Sequence, residues 1–415
     1  MRIGLDARSL STPRPRGTGR NLRDAYRLIP ALRQHWQFIL YHQRPADDGL
    51  RAAGEPGAHP NVRLRQIDFP GDRFQAWFHV RLPAAAWRDG VDLLHFPANA
   101  APCWCPVPFV VTIHDLIPLK LPGELSARQT RAFRRGVSRA VRGAAHIITV
   151  SEATRADLRD VFGVPPERMT VVPWAPDRLI ASAAKAPRTA EQIGLLRERY
   201  GLAKRWLISF PGSTARKNAR GLLAGLARVA PEVRQTVQVV LAGCEPAAQR
   251  TQLELEAQRR GLAANCRVLG FVPHTDLPEL LRGAAGLLIP SRYEGFGLPI
   301  LDAFTCGVPV LTSRVSSMPE VAGDAAVYCD PDDPASIAAG ITRLLDPTIA
   351  AQLVELGRER VVQFSWERTA EAMCAVYEQC VTGERPAPSV AARFDPREGE
   401  APAEPAQEAC AECLR

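Results

Sequence analysis

Two acids and two glycines meet in the stretch Ser291-Arg292-Tyr293-Glu294-Gly295-Phe296-Gly297-Leu298-Pro299-Ile300-Leu301-Asp302. It follows the apolar run from Gly286 to Pro290, which reads as a central strand, and precedes a helix that Pro299 can open as its first residue. Gly295 and Gly297 let the backbone come close to a bound group, and the start of a helix offers unpaired N–H groups at a positive dipole end. That chemistry suits an anion such as diphosphate. Asp302 is expected in the first turn of the helix, where an acid also complements the dipole.

A second cluster carries the opposite charge. The strand-like run Leu207 to Phe210 leads into Pro211-Gly212-Ser213-Thr214-Ala215-Arg216-Lys217-Asn218, with a helix expected from about Ala219. Lys217 beside a helix N-terminus is a point charge for diphosphate, and Arg216 adds a fork-shaped donor, so both suit a departing nucleotide. The spacing is not that of a Walker loop. A third candidate, His114, follows Phe109-Val110-Val111-Thr112-Ile113 directly. Doubly wound sheets bind ligands outside the carboxyl ends of their strands, which aims His114 at a cleft, although a lone histidine after a strand is usually structural. Gly17-Thr18-Gly19-Arg20 lies between the first strand and a helix, but a dinucleotide fingerprint would need glycine where Leu22 stands, which disfavours a nicotinamide site.

On these residues the chain resembles the retaining glycosyltransferases of family 4, which have the GT-B fold and a Glu-x7-Glu signature. Here the signature is Glu294 and Asp302, inside the longer match Glu-Gly-Phe-Gly-Leu-Pro-x-Leu-Asp-Ala-Phe-x-Cys-Gly-Val-Pro-Val, and Thr-Ile-His-Asp-Leu-Ile-Pro-Leu matches a segment that carries a cleft histidine. The resemblance implies catalytic roles for His114, Glu294 and Lys217. It implies that Glu294 meets the donor sugar and diphosphate, that Asp302 holds the ribose, and that Gly17 and Gly19 form a flexible loop over the donor phosphates and acceptor. The rest of the implied donor site is Gly212, Arg216, Gly295, Phe296, Gly297 and Leu298. Many family members have Arg five residues before the Lys; Gly212 stands there, leaving that part of the clamp missing or supplied by Arg216.

The elements that must position these groups alternate. Apolar runs at 2–5, 38–41, 91–96, 109–113 and 147–150, then at 206–210, 237–241, 266–269, 287–290 and 308–312, are separated by helical stretches. This pattern implies parallel sheets with helices on both faces, hence two Rossmann-like domains with a cleft between them. The expected division is 1–177 on the acceptor side, 188–364 for the nucleotide-sugar, 365–383 as a helix that, by resemblance, returns to the first domain, and a disordered tail over 384–415, where Ala, Pro and Glu make up 19 of 32 residues.

With 415 residues and 46% apolar composition the chain can fill two cores. No run approaches the roughly 18 apolar residues of a spanning helix, and ten cysteines, several inside apolar runs, read as small buried hydrophobes of a reducing cytoplasm. Cys103-x-Cys105 and Cys410-x-x-Cys413 lack partners at zinc-ligand spacing, and Asp330-Pro331-Asp332-Asp333 reads as turn and helix-cap residues, so neither metal nor cofactor is expected. Arg128, Arg131, Arg135, Arg139 and Arg142 share one helix face. With a net charge of +8 that face reads as solvated or as touching an anionic membrane; no nucleic-acid motif accompanies it.

The resulting expectation is a cytoplasmic retaining glycosyltransferase that moves a sugar from a nucleoside-diphosphate-sugar to a saccharide or glycolipid hydroxyl. The His114 segment resembles mannosyltransferase-like members of polysaccharide assembly and tilts the donor toward GDP-mannose. The alternatives are another GT-B enzyme, such as a sugar-nucleotide epimerase or synthase, and a non-catalytic sugar-nucleotide-binding protein.

Overall fold

The computed structural model describes residues 1–10, 17–43, 48–51, 54–67, 76–187 and 189–383. The expected tail at 384–415 lies outside them. The first domain holds seven strands: β1 (Arg2–Asp6), β2 (Gln37–His42), β3 (Val62–Gln66), β4 (Leu93–Phe96), β5 (Phe109–Ile113), β6 (His146–Thr149) and β7 (Met169–Val171). They lie in the order β3-β2-β1-β4-β5-β6-β7 and every pairing is parallel. The second domain holds β8 (Trp206–Ser209), β9 (Gln238–Leu241), β10 (Cys266–Val268), β11 (Gly286–Ile289), β12 (Val310–Ser313) and β13 (Ala326–Cys329), in the parallel order β10-β9-β8-β11-β12-β13. Both sheets are doubly wound. Each reverses direction beside its first strand, and such switch points open a crevice at the carboxyl ends, between β1 and β4 and between β8 and β11.

Apolar runs make the central strands. β4, β5, β6, β8, β11 and β12 are buried along their whole length, as parallel strands covered by helices on both faces must be. The strands not among the expected runs are β3, β7 and β13, and each is an edge strand. β3 reads Val-Arg-Leu-Arg-Gln, with two of its five residues exposed and none fully buried.

The helices that bear on the site are α1 (Gly17–Tyr26), α2 (Ala127–Gly143), α3 (Glu152–Phe162), α4 (Arg178–Lys185), α5 (Ala219–Arg228), α6 (Leu298–Thr305), α7 (Met318–Ala322), α8 (Pro334–Leu345), α9 (Pro347–Val361) and α10 (Trp366–Thr382). Local chemistry sets several of their ends. Ser126 and Gln129 form a capping box on α2, Ser151 caps α3, and Asp333 caps α8 through the N–H groups of Ala335 and Ser336.

The last helix, α10, packs on the first domain. Tyr377 hydroxyl lies 3.0 Å from that of Tyr26 and 2.9 Å from His95 Nδ1, and His95 Nε2 reaches Thr112 Oγ1 at 2.8 Å. Burial pushes His95 down to about 3, so this chain of polar groups is neutral and satisfied, which is what allows it inside a core. Trp366 Nε1–H donates to the Pro176 carbonyl (2.8 Å) and Thr369 hydroxyl to the Pro173 carbonyl (2.7 Å), fastening the start of α10 to the segment that joins the domains.

Candidate active site in the interdomain cleft

Lys217 follows β8 and Glu294 follows β11, so the two stand on either side of the second domain's switch point. Arg216 Nη1 donates to Glu294 Oε2 at 2.6 Å and to the Tyr293 carbonyl at 2.8 Å; Ser291 hydroxyl donates to Glu294 Oε1 at 2.9 Å. Lys217 Nζ is 4.0 Å from Glu294 Oε1 and donates to the Phe210 carbonyl at 3.2 Å. Burial alone would raise the Glu294 carboxyl, but the charges of Lys217 and Arg216 hold it below its ordinary value. Glu294 is therefore a carboxylate between two cations. A small cavity lies against Lys217, Ser209, Phe210, Ser291, Glu294 and Pro299.

Backbone geometry presents this cluster. Gly212 (φ +53°) and Gly297 (φ +97°) adopt left-handed conformations that favour glycine, one in each loop. A further clamp, Asn218, was not singled out by sequence reasoning. It is buried and itself left-handed (φ +59°), and its Nδ2 donates to the carbonyls of Pro290 (3.0 Å) and Pro331 (2.6 Å), tying the Lys217 turn to the Glu294 loop. Glu294 N–H donates to Ser316 Oγ (3.0 Å) and Ser317 hydroxyl donates to the Glu294 carbonyl (2.9 Å).

Several placements differ from expectation. Pro299 is the second residue of α6, and Asp302 is the fifth, past the first turn. Because Pro299 has no N–H and Ile300 N–H donates to the Gly297 carbonyl, the start of α6 offers fewer free donors to an anion than the sequence suggests. The Phe296 ring is buried against Phe364 (centroids 6.1 Å apart), so only its backbone can reach a donor. Gly17 and Gly19 form the first turn of α1 and not a loop; Arg20 follows them and pairs with Asp177 at 3.6 Å.

Asp302 stands elsewhere than Glu294. Its Oδ1 accepts the N–H of Asp177 at 2.9 Å, and Asp177 in turn caps α4 and accepts from His274 Nε2 at 2.8 Å. Burial pushes Asp302 up to about 7, since one backbone N–H offsets little of the desolvation and the neighbouring Asp177 charge adds to it. Asp302 pins the interdomain segment. The Asp330 to Asp333 run is spent on structure: Asp330 accepts the Asp332 N–H, Asp332 pairs with Arg292 at 2.6 Å, and Asp333 caps α8.

The first domain contributes His114 at the end of β5. Asn99 Oδ1 accepts its N–H (2.7 Å), Nε2 lies 2.6 Å from the Pro97 carbonyl, and the ring stacks on Trp174 (centroids 6.0 Å, 23° apart). Burial holds the imidazole below its ordinary value, so it is neutral at pH 7, with Nε2 carrying the proton toward Pro97. Its neighbour Asp115 is raised by burial against the pull of the Ile117 N–H and the Arg216 charge. Contact across the cleft is direct. A Cβ on Gly295 would lie 2.4 Å from the His114 carbonyl oxygen, so only glycine allows the two loops to meet this way, and the first domain's Glu124 accepts the Arg216 N–H at 2.9 Å. A surface concavity along Arg2, Trp36, Gln37, Asn61 and Asp89 lies at the amino ends of the strands, where open α/β sheets do not bind ligands.

Known proteins converge on the same reading. Residues 196–360 match the family model described as glycosyl transferases group 1, and residues 18–177 match that of glycosyltransferase family 4. The chain is 32% identical over 291 residues to the O-antigen chain mannosyltransferase B of Escherichia coli, covering 70% of this chain and 75% of that protein. In fold it is similar to a sucrose-phosphate synthase from Thermosynechococcus elongatus (TM-score 0.70, 20% identity, 92% of this chain and 100% of that one). It is also similar to an Anabaena protein solved with UDP and glucose (TM-score 0.66, 19% identity, 91% and 99%). The chain belongs to the family 4 glycosyltransferases and has their GT-B fold.

Proposed function

We propose that this glycosyltransferase moves a hexose from a nucleoside-diphosphate-sugar, with GDP-mannose favoured, to a hydroxyl of a saccharide or glycolipid acceptor, with retention at the anomeric carbon. The observation that carries the reading is the Arg216–Glu294–Lys217 cluster at the β8/β11 switch point, facing His114 across the cleft. Two cations around one carboxylate make a site where a diphosphate can take over the positive charge while Glu294 turns to the sugar. The E. coli relative is a mannosyltransferase, which supports mannose as the sugar; the Anabaena structure holds UDP, which keeps the uracil base in any test.

In the reaction the bond from the anomeric carbon to the diphosphate breaks, and its electron pair leaves with the diphosphate, whose charge Lys217 and Arg216 stabilise. The acceptor oxygen bonds to the same face of that carbon and its proton passes to the departing diphosphate. No protein nucleophile is assigned. Closure brings His114 over the sugar and excludes water. The residues assigned to the site supply the charge themselves, so activity should survive EDTA; a magnesium-restorable loss would overturn that. Incubating the full chain with GDP-mannose, GDP-fucose, UDP-glucose and UDP-galactose, with and without acceptor lipid, tests the reading through nucleotide release. Acceptor-dependent release from one donor, with that donor's anomeric configuration kept in the product by NMR, is expected. An epimerised donor without transfer, or an inverted product, would contradict it.

We place the protein in the cytoplasm with the α2 face toward an anionic membrane. α2 carries six arginines and no acid; Arg128, Arg131, Arg135 and Arg142 are exposed, and none of the described helices is long and apolar enough to cross a membrane. Sedimentation with phosphatidylglycerol vesicles but not with phosphatidylcholine ones is expected; equal recovery from both would remove the membrane contact.

A further inference from the structure

The amino end of α3 is completed by the other domain. The first N–H groups of a helix have no partner within it. In α3 Ser151 accepts the N–H of Thr154, as an ordinary cap does, but the N–H groups of Glu152 and Ala153 donate to the two carboxylate oxygens of Glu320, at 2.8 and 3.2 Å. Glu320 sits on α7 in the second domain, and its carbonyl is held by Arg360 Nη2. The hydroxyls at the same end reach the catalytic loops. Ser151 Oγ donates to the Gly295 carbonyl at 2.7 Å, while Thr154 Oγ1 lies 3.1 Å from the His114 carbonyl and 3.4 Å from that of Gly295. One turn further on, Asp157 accepts from Tyr293 hydroxyl and pairs with Lys120 at 2.6 Å. Ser151 and Thr154 are fully buried where they stand.

Thr154 therefore touches the carbonyls of both residues that flank the cleft, His114 in one domain and Gly295, next to Glu294, in the other. We propose that Ser151, Thr154 and Glu320 are positioning residues that seat the amino end of α3 on the Glu294–Gly295 turn and so set where Glu294 stands relative to His114 when the cleft is shut. The proposal rests on the glycosyl-transfer reading for its kinetic consequence but not for its geometry. No other contact described between the two loops carries a hydrogen bond to each. The buried hydroxyls of Thr154 and Ser151 lose the Gly295 carbonyl whenever the domains part, and water must then replace it.

The test uses the full chain, with hydrogen exchange and turnover measured on the same variants. In the parent with saturating GDP or UDP, the Glu152 and Ala153 amides should exchange slowly, because only Glu320 protects them; Glu320→Ala should return them to the rate of an open chain. Gly295→Ala, whose Cβ would meet the His114 carbonyl and force the loops apart, should do the same without touching Glu320. Thr154→Val should lower kcat/KM about tenfold, the size expected for loss of one buried hydrogen-bonding group, with whichever of GDP-mannose or UDP-glucose the parent turns over. Thr154→Ser, which keeps the hydroxyl, should recover to within about threefold of the parent. A pH profile adds a readout that a purely structural residue would not move. Burial raises Glu320 to about 7, with Glu152 of α3 and Arg360 of α9 as its charged neighbours, so closure takes up a proton and donor KM should rise as pH climbs toward 7; Glu320→Gln should flatten that slope. Fast exchange of both amides in the nucleotide-bound parent, parent-like kinetics for Thr154→Val, or a Thr154→Ser variant as impaired as the Val one, would each overturn the proposal. If the parent releases nucleotide from no donor, the transfer reading fails while the exchange measurements still decide whether the contact exists.

Discussion

Glu294 and Asp302 are the two acids of one signature, eight positions apart, and the fold gives them opposite surroundings. Glu294 sits on the loop after β11, between Arg216 and Lys217, and is held below its ordinary value. Asp302 sits within α6, takes one backbone N–H from Asp177, and is pushed up to about 7 by burial. One acid is a fixed charge facing the cleft and the other titrates near neutrality beside the interdomain segment. Identical chemistry in a motif thus carries different work depending on which cations the topology brings near it, since neither Arg216 nor Lys217 is within the motif at all.

The largest separation should come from Glu294→Gln. The glutamine is close in shape, so binding should persist, and freeing Arg216 and Lys217 from a carboxylate should leave nucleotide affinity equal or tighter. Turnover should nonetheless fall by about a hundredfold or more, the scale of losing a preorganised electrostatic group where charge develops. Steady-state kinetics beside binding checks this, and weaker binding with turnover unchanged would place Glu294 in binding alone. Lys217→Ala should affect binding and turnover together, by roughly 2–4 kcal/mol of transition-state stabilisation. Unchanged kinetics would end its phosphate role.

The smallest effect separates the acids by stability. The folded-state value of Asp302 lies above its ordinary 3.8, so the folded protein binds the extra proton and stability falls as pH climbs from about 4 through 7, then levels. Asp302→Asn keeps an oxygen for the Asp177 N–H and removes the ionisation, so its Tm relative to the parent should improve between pH 5 and 8, by on the order of 2–4 °C. Glu320, raised to about 7 for the same reason, keeps part of the slope in place. Melting curves across that range decide it; a parallel pair of curves would show that Asp302 stays ionised.

How much of this was legible depended on sequence distance. Apolar runs of four or five residues announced the buried strands because parallel strands covered on both faces need them, and Gly212, Gly297 and Pro299 marked the turns that local backbone chemistry demands. The edge strands β3 and β7 carried weaker patterns because the first has no buried residue and the second is three residues long, whereas β13, Ala-Val-Tyr-Cys, is as apolar as the central strands and was passed over. The pairing of Arg216 with Glu294, 78 positions away, and the tie from Asn218 to Pro290 and Pro331 follow from β8 and β11 lying side by side. Nothing local encodes that. The contacts of Ser151 and Thr154 were further out of reach, because a serine and a threonine three residues apart read as a helix cap, which they are, and their second task exists only once two domains meet. Phe296 misled for the converse reason: the motif put it beside glycines that face the cleft, while packing on Phe364 turned its ring inward.

Calorimetric titration of GDP and UDP against the parent, Glu294→Gln and Asp302→Asn tests the division of labour most directly. The two acids should part. Glu294→Gln should bind the preferred nucleotide at least as tightly as the parent, and Asp302→Asn should bind it more weakly by about 1.5–3 kcal/mol at pH 8, where the carboxylate is charged, because the ribose contact that the family resemblance assigns to Asp302 would lose a charged acceptor. A parent-like Asp302→Asn together with a Glu294→Gln that no longer binds would contradict the account, leaving Asp302 as a pin for Asp177 with no part in the nucleotide site and Glu294 as the nucleotide's own anchor.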